Sequence, residues 1–95
     1  MRVVVTGMGV VSPIGTGVEQ FWNAAIDGVS GIDMVQSFDS SKLNSKIAGE
    51  VKQFDPASFL SPIYIDQTDR FTQLALHAAN PAIEDAGGLD NYSPY

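Results

Sequence analysis

The chain has no cysteine among its 95 residues. That excludes a disulfide framework, a thiolate nucleophile and a cysteine-ligated metal within this segment, and it suits a reducing compartment. Basic residues are scarce as well: 5 Lys and Arg stand against 11 Asp and Glu, a formal net charge of −6. A nucleic-acid backbone or an anionic membrane repels such a surface, so neither is expected as a partner. No apolar run is long enough for a signal-peptide core or a membrane span, because the opening Met1-Arg2-Val3-Val4-Val5 is soon interrupted by Gly7 and Gly9. A cytoplasmic location is the expectation. Charged residues amount to only 17% beside 44% hydrophobic ones, a balance suited to a chain that hides much of its surface against something else.

What is present reads as part of an α/β protein, one small domain at most. Val3, Val4, Val5 and Thr6 form a β-branched run ended by Gly7, which predicts a strand over about 2–7, buried on both faces as in a parallel sheet. Thr16-Gly17-Val18-Glu19 matches a capping box with Thr16 as N-cap, and a helix is predicted over about 17–27. Val18, Phe21, Trp22, Ala25 and Ile26 would form its core-facing stripe, and Gly28 its left-handed stop. Residues 28–45 read as a long loop tacked down by Val35 and Phe38, and 46–51 as a short, edge-like strand. Asp55-Pro56 then opens a single turn with Phe59 and Leu60 buried, ended at Ser61-Pro62.

The strongest periodicity lies over 69–86, where Phe71, Leu74, Ala75, Ala78, Ala79, Ala82, Ile83 and Ala86 recur at three and four. Alanines on that stripe predict close packing against another backbone. Pro81 predicts a kink, or a restart with Asn80 as cap, and Gly87-Gly88 ends the helix. Residues 90–95 read as a linker or a frayed end. With a both-faces-buried strand and an alanine-lined helix, this segment alone would expose a large apolar patch.

The candidate chemistry is thin. Gly7-Met8-Gly9 after a strand invites a dinucleotide reading, but Ser12 stands where the third glycine belongs. The helix also starts too late, near Thr16, for its N-terminus to meet a phosphate at Gly9, and Asp27 ends a helix instead of a second strand. The glycines therefore read as a tight exit from the strand. His77, the only histidine, falls on the flank of the apolar stripe with no relay partner at helical spacing, and reads as a solvated or interfacial residue. Asp66 with Asp69, and Glu84 with Asp85, are paired carboxylates without a metal ligand beside them. Asp69-Arg70 reads as a capping and salt-bridge element. No catalytic, cofactor-binding or metal-binding residue is assigned, and no cofactor is expected.

Order and spacing carry the reading further. Residues 3–15, Val-Val-Val-Thr-Gly-Met-Gly-Val-Val-Ser-Pro-Ile-Gly, followed by Phe21-Trp22, Gly28-Val29-Ser30-Gly31-Ile32, Phe38-Asp39, Ala48-Gly49, Phe54-Asp55 and Asp69-Arg70-Phe71-Thr72-Gln73, resemble the N-terminus of the β-ketoacyl-acyl carrier protein synthases. The resemblance covers nearly the whole chain. It implies an α/β, thiolase-like layered fold of two similar halves, working as a dimer in fatty acid or polyketide assembly, with residues 1–95 as a partial N-terminal ketosynthase domain. It also implies acyltransferase chemistry, a decarboxylative Claisen condensation using one cysteine and two histidines. All three fall beyond Tyr95 in family order, and His77 matches neither histidine, so this segment alone is not expected to be active.

One departure bears on the subgroup. Many catalytic members carry Lys and Arg just before the Asp69-Arg70-Phe71 position, a patch suited to an acidic carrier protein. Here Ser61-Pro62-Ile63-Tyr64-Ile65-Asp66-Gln67-Thr68 holds no basic residue, which argues against direct carrier-protein docking at this surface. Gln67-Thr68-Asp69, Leu74-Ala75-Leu76 and Ala78-Ala79 instead resemble the chain-length factors, which lack the nucleophilic cysteine, pair with a catalytic ketosynthase and shape its acyl-chain cavity. The expected partners are a ketosynthase subunit and the remainder of the fold. The alternatives are the opening segment of a catalytic synthase and a short or split subunit used only for assembly.

Overall fold

A glycine costs backbone entropy and persists where a side chain cannot fit. Gly7 and Gly9 stand at such places. In the computed structural model, which describes residues 1–90, a Cβ on Gly7 would collide with the Ala82 carbonyl oxygen and approach the Ala86 nitrogen to 2.8 Å, and one on Gly9 would collide with the Ala78 carbonyl. The alanine-lined helix therefore packs directly onto the backbone of residues 7–9, as its small residues predict.

That helix, labelled α3 below, spans Arg70–Asp85 and continues through Pro81 without a restart at Asn80. It ends as a helix stopped by glycine should: Gly87 takes φ 87°, its amide donates to the Glu84 carbonyl and the Gly88 amide to that of Ile83. The first helix, α1, spans Val18–Ile26 and stops the same way, with Gly28 at φ 71° and the Gly28 and Val29 amides donating to Ala25 and Ala24.

Between residue 9 and α1 lies a hairpin, β1 Val11–Ser12 against β2 Gly15–Thr16, turned by Pro13-Ile14. Ser12 clamps it: its hydroxyl donates to the Gly15 carbonyl at 2.8 Å and accepts from the Ile14 and Gly15 amides. The helix start differs from the capping box. Gly17, not Thr16, is the N-cap, without a side-chain cap bond, and Gln20, not Glu19, reaches back to accept from the Thr16 amide at 2.8 Å. The amide of the N-cap Gly17 donates to the Val10 carbonyl at 2.8 Å instead, so Gln20, at the third helical position, takes the amide one residue before the cap.

The region predicted as loop contains a second ribbon. β3, Ile32–Met34, pairs antiparallel with β4, Ile47–Gly49, with Met34 opposite Ile47 and Ile32 opposite Gly49. Pro13 packs into it where Gly31 and Gly49 leave room. Val35 is half-buried, but Phe38 is exposed and does not tack the loop down. The loop is held by polar contacts instead: the Glu50 carboxylate accepts from the Gln36 and Ser37 amides and from the Ser37 hydroxyl. Asp55 caps the 3₁₀ turn Pro56–Ser58 through the Ala57 amide, as predicted. Ser61-Pro62 then opens a helix instead of ending a turn, with Pro62 as the first residue of α2, Pro62–Gln67.

Two apolar expectations fail for one reason. Residues 3–6 form no strand, and Val3, Val4 and Val5 are exposed at 88%, 64% and 81%. A strand needs a ladder, and the four short strands here pair only with one another. Trp22 and Ile26 likewise lie exposed, while Val18, Phe21 and Ala24 make the inner side of α1. No hydrophobic residue is buried among the described residues. The accessible surface is 7597 Å², against about 5,300 Å² for a compact monomer of this mass. The radius of gyration is 16.5 Å, against about 12 Å for a compact domain.

The isolated 95-residue chain is accordingly expected to melt without a cooperative transition as a micromolar monomer by circular dichroism; a sharp two-state melt would contradict this. In a folded assembly containing the chain, Gly9→Ala is expected to cost about 3 kcal/mol by overpacking. Gly28→Ala, with open space but left-handed backbone, is expected to cost about 1 kcal/mol, so denaturant titration should rank the two clearly. Ser37 and the Gln36 amide hold the Glu50 carboxyl below its ordinary value. A lowered folded pKa stabilises above the ordinary carboxylate range and loses that contribution as pH falls through the folded value. The stability gap between native protein and Glu50→Gln should therefore shrink on acidification, and a gap independent of pH would count against the Glu50 clamp.

Candidate functional site

The glycine turn was the first sequence feature to suggest chemistry, so its amides decide whether it can hold a phosphate. The Met8 amide donates to a carboxylate oxygen of Asp85 at 3.1 Å. An acidic side chain thus occupies the position an anionic ligand would need, and the α3 backbone closes over Gly7 and Gly9. Helix α1 begins at Val18, with the Ser12-clamped hairpin between it and the glycines, so its positive end does not face them. Asp27 is the C-cap of α1. These positions make the glycines a packing seam, with Asp85 as its polar end.

His77 sits half-buried in an aromatic cluster. Its ring centroid lies 4.6 Å from that of Phe59 and 5.5 Å from that of Phe54, the latter edge to face, and the two phenylalanines are 5.8 Å apart. The Arg70 guanidinium lies 5.1 Å over the Phe54 ring and donates to the Val51 carbonyl at 3.1 Å. His77 therefore joins α3 to the segment around the 3₁₀ turn as a flat, half-apolar side chain. Arg70 is committed to Phe54 and Val51, not to Asp69, and Asp69 makes no side-chain cap bond on α3. Asp69 is thus the N-cap residue of α3 by position, with its carbonyl accepting from the Gln73 amide at 3.1 Å, and the salt-bridge half of the Asp69-Arg70 reading is corrected.

Among the described residues the one ion pair is Lys52 with Asp33, at 3.2 Å and largely exposed. The Met34 amide, and then Lys52, hold the Asp33 carboxyl below its ordinary value, and Ser41 does the same for Asp39. Glu50, which the sequence did not single out, has the most donors of any carboxylate described. It lines a shallow hollow with Ser37, Val51, Arg70 and Leu74. A carboxylate with its lone pairs engaged by three donors is a fastener for the loop and a poor proton acceptor. No spacing pattern links residues 36 and 37 to 50, so no sequence signal was available to find it. Among the described residues no three His, Cys, Asp or Glu side chains gather to hold a metal, and no helix is long and apolar enough to cross a membrane.

Comparison with known proteins places the chain in a family. The β-ketoacyl synthase N-terminal domain model matches residues 1–92. A protein of Streptomyces glaucescens named tetracenomycin polyketide synthase ketoacyl synthase beta subunit is 51% identical over 85 residues, 90% of this chain and 21% of its own. A putative polyketide β-ketoacyl synthase 2 of Streptomyces halstedii is 46% identical over 96 residues, 99% of this chain and 23% of its own. A 3-oxoacyl-acyl-carrier-protein synthase 2 of Coxiella burnetii is 46% identical over 86 residues, with 90% and 21% covered. Among solved structures, the ishigamide ketosynthase/chain length factor superposes with a TM-score of 0.80 at 40% identity, covering 90% of this chain and 21% of that one. The chain thus spans less than a quarter of the length of these relatives, and its architecture is the opening part of their α/β, thiolase-like layered fold. By its match across residues 1–92, the chain belongs to the β-ketoacyl synthase family.

Proposed function

We propose that this segment belongs to a chain-length-factor-like subunit, one that pairs with a catalytic ketosynthase and shapes the cavity holding the growing acyl chain. The observation that carries the reading is the stretch 61–68, which holds Asp66 and no Lys or Arg. α2, which it contains, turns Ile63 and Tyr64 outward at 67% and 60% exposure. An acidic carrier protein would gain nothing from such a surface. The 51% identity to a protein named as a ketoacyl synthase beta subunit supports the same subgroup.

In this reading the segment contributes packing and no catalytic, cofactor-binding or metal-binding side chain, and the subunit works in the cytoplasm. Its exposed apolar faces, Val3 to Val5 and Trp22 with Ile26, are covered by the remainder of the family-length fold. The second reading, a catalytic β-ketoacyl-acyl carrier protein synthase performing decarboxylative condensation, is favoured by the 46% identity to a 3-oxoacyl-acyl-carrier-protein synthase.

The two readings separate on one experiment with the full-length protein. Incubated alone with acyl-loaded carrier protein, it is expected to take up no acyl group by intact-protein mass spectrometry, and to co-purify with a catalytic ketosynthase as a heterodimer. An acyl adduct on a cysteine of its own polypeptide would overturn the proposal and establish the catalytic reading.

A further inference from the structure

Among the described residues, one residue other than glycine takes a positive φ: Gln53, at 58°. An L-residue there brings its Cβ close to the following carbonyl oxygen, a strain that glycine does not carry and that asparagine and aspartate tolerate better. The bend itself has a plain cause. Just before it, the Lys52 ammonium holds Asp33 of β3 at 3.2 Å and the Val51 carbonyl accepts from Arg70 of α3. Just after it, Phe54 packs with Phe59 and His77 and lies under the Arg70 guanidinium. Gln53 is thus the corner between a stretch tied to the ribbon and one held on α3. All of these contacts lie within the described residues, so the strained backbone does not depend on what covers the surface.

The corner calls for a left-handed residue; it does not call for glutamine. Two other glutamines show what a carboxamide does in this chain. Gln20 accepts from the Thr16 amide at 2.8 Å. Gln73, at 6% exposure, donates to the Thr68 carbonyl and to the Thr68 hydroxyl, each at 3.2 Å, and so closes the end of α2. The Gln53 carboxamide, by contrast, takes part in none of the side-chain hydrogen bonds among the described residues. It lines the hollow between the corner and the hairpin turn, together with Ser12, Ile14 and Lys52. A carboxamide offers both a donor and an acceptor, the complement of a peptide group.

We infer that the left-handed position holds glutamine for its side chain, and that the Gln53 carboxamide pairs with a peptide group of the same polypeptide beyond Tyr95, packed over that hollow. The relatives carry more than three quarters of their length outside the matched region, which supplies the occupant. The inference rests on the reading of this segment as the opening part of a family-length fold, and on neither subgroup.

Gln53→Gly and Gln53→Ala in the full-length protein test it. Glycine relieves the backbone, so with an idle side chain it would raise the thermal midpoint. Here Gln53→Gly is expected to lower it by about 2 °C or more. Gln53→Ala, which loses the carboxamide and keeps the strain, should fall lower still. Amide hydrogen exchange locates the contact: in Gln53→Gly a peptide beyond Tyr95 is expected to exchange about fivefold faster. A midpoint for Gln53→Gly at or above the native one, an alanine variant as stable as the glycine one, or faster exchange confined to residues 1–95 would each overturn the pairing. A loss seen only when the protein joins a second subunit would overturn it too, by moving the contact to the partner. An acyl adduct, which overturns the chain-length-factor reading, leaves this order of midpoints unchanged.

Discussion

The contact between two backbones, residues 7–9 and the Ala78, Ala82, Ala86 face of α3, is the constraint on which the remaining structure depends. Close approach is possible only where Cβ atoms are missing on one side and small on the other, and the space at Gly7 and Gly9 is smaller than a methyl group. Once the helix is that near, Asp85 lies within reach of the Met8 amide. The seam also fixes where the chain leaves toward the hairpin. Ser12 then closes the hairpin turn, and Pro13 enters the gap that Gly31 and Gly49 leave in the second ribbon. Close approaches at four glycines, Gly7, Gly9, Gly31 and Gly49, thus link α3, the hairpin and the ribbon without any buried large side chain.

That economy of side chains explains the open shape. Glycine seams set geometry, but the hydrophobic effect scales with apolar area removed from water, and little is removed here. The large apolar residues Val3 to Val5, Trp22, Ile26, Met34 and Ile47 stay exposed. Met34 and Ile47 are cross-strand neighbours in the ribbon, so they form a shared apolar surface instead of isolated exposures. In the relatives, more than three quarters of the polypeptide lies outside the matched region. The frame is ordered by polar fasteners and glycine contacts while its apolar faces await a second layer.

Legibility in the sequence followed the range of the interactions. α3 and its end were readable because the alanine period and Gly87-Gly88 are local signals, and the same holds for Gly28 after α1 and for Asp55 before the 3₁₀ turn. The close packing implied by the alanines was readable too, though not that Gly7 and Gly9 would be its target. The strand over 2–7 was read from β-branched composition, which describes a residue's preference for a sheet and cannot supply the neighbouring strand. Trp22 fell on the stripe by spacing, but the hairpin meets α1 at the Gln20-Phe21 backbone, which lies against Gly15, a fact of tertiary placement. β3 was hidden because three residues, Ile32, Asp33 and Met34, alternate too briefly to stand out from a loop. Glu50 and Gln73 act on partners whose proximity exists only after folding.

The candidate site shows the same division from the chemical side. A glycine turn after an apolar run is ambiguous between ligand binding and packing, because both need the backbone bare. What separates them is the destination of the freed amides: in a phosphate site they face the ligand, whereas here the Met8 amide donates a hydrogen bond to the Asp85 carboxylate and the α3 backbone covers Gly7 and Gly9. The placement of His77 between Phe54 and Phe59 has a parallel logic, since a histidine needs a proton partner to shuttle and these neighbours offer none. Both features are engaged in packing contacts within these residues. Small-residue seams of this kind fix a backbone's position without filling the space beside it, so the neighbouring apolar faces stay open.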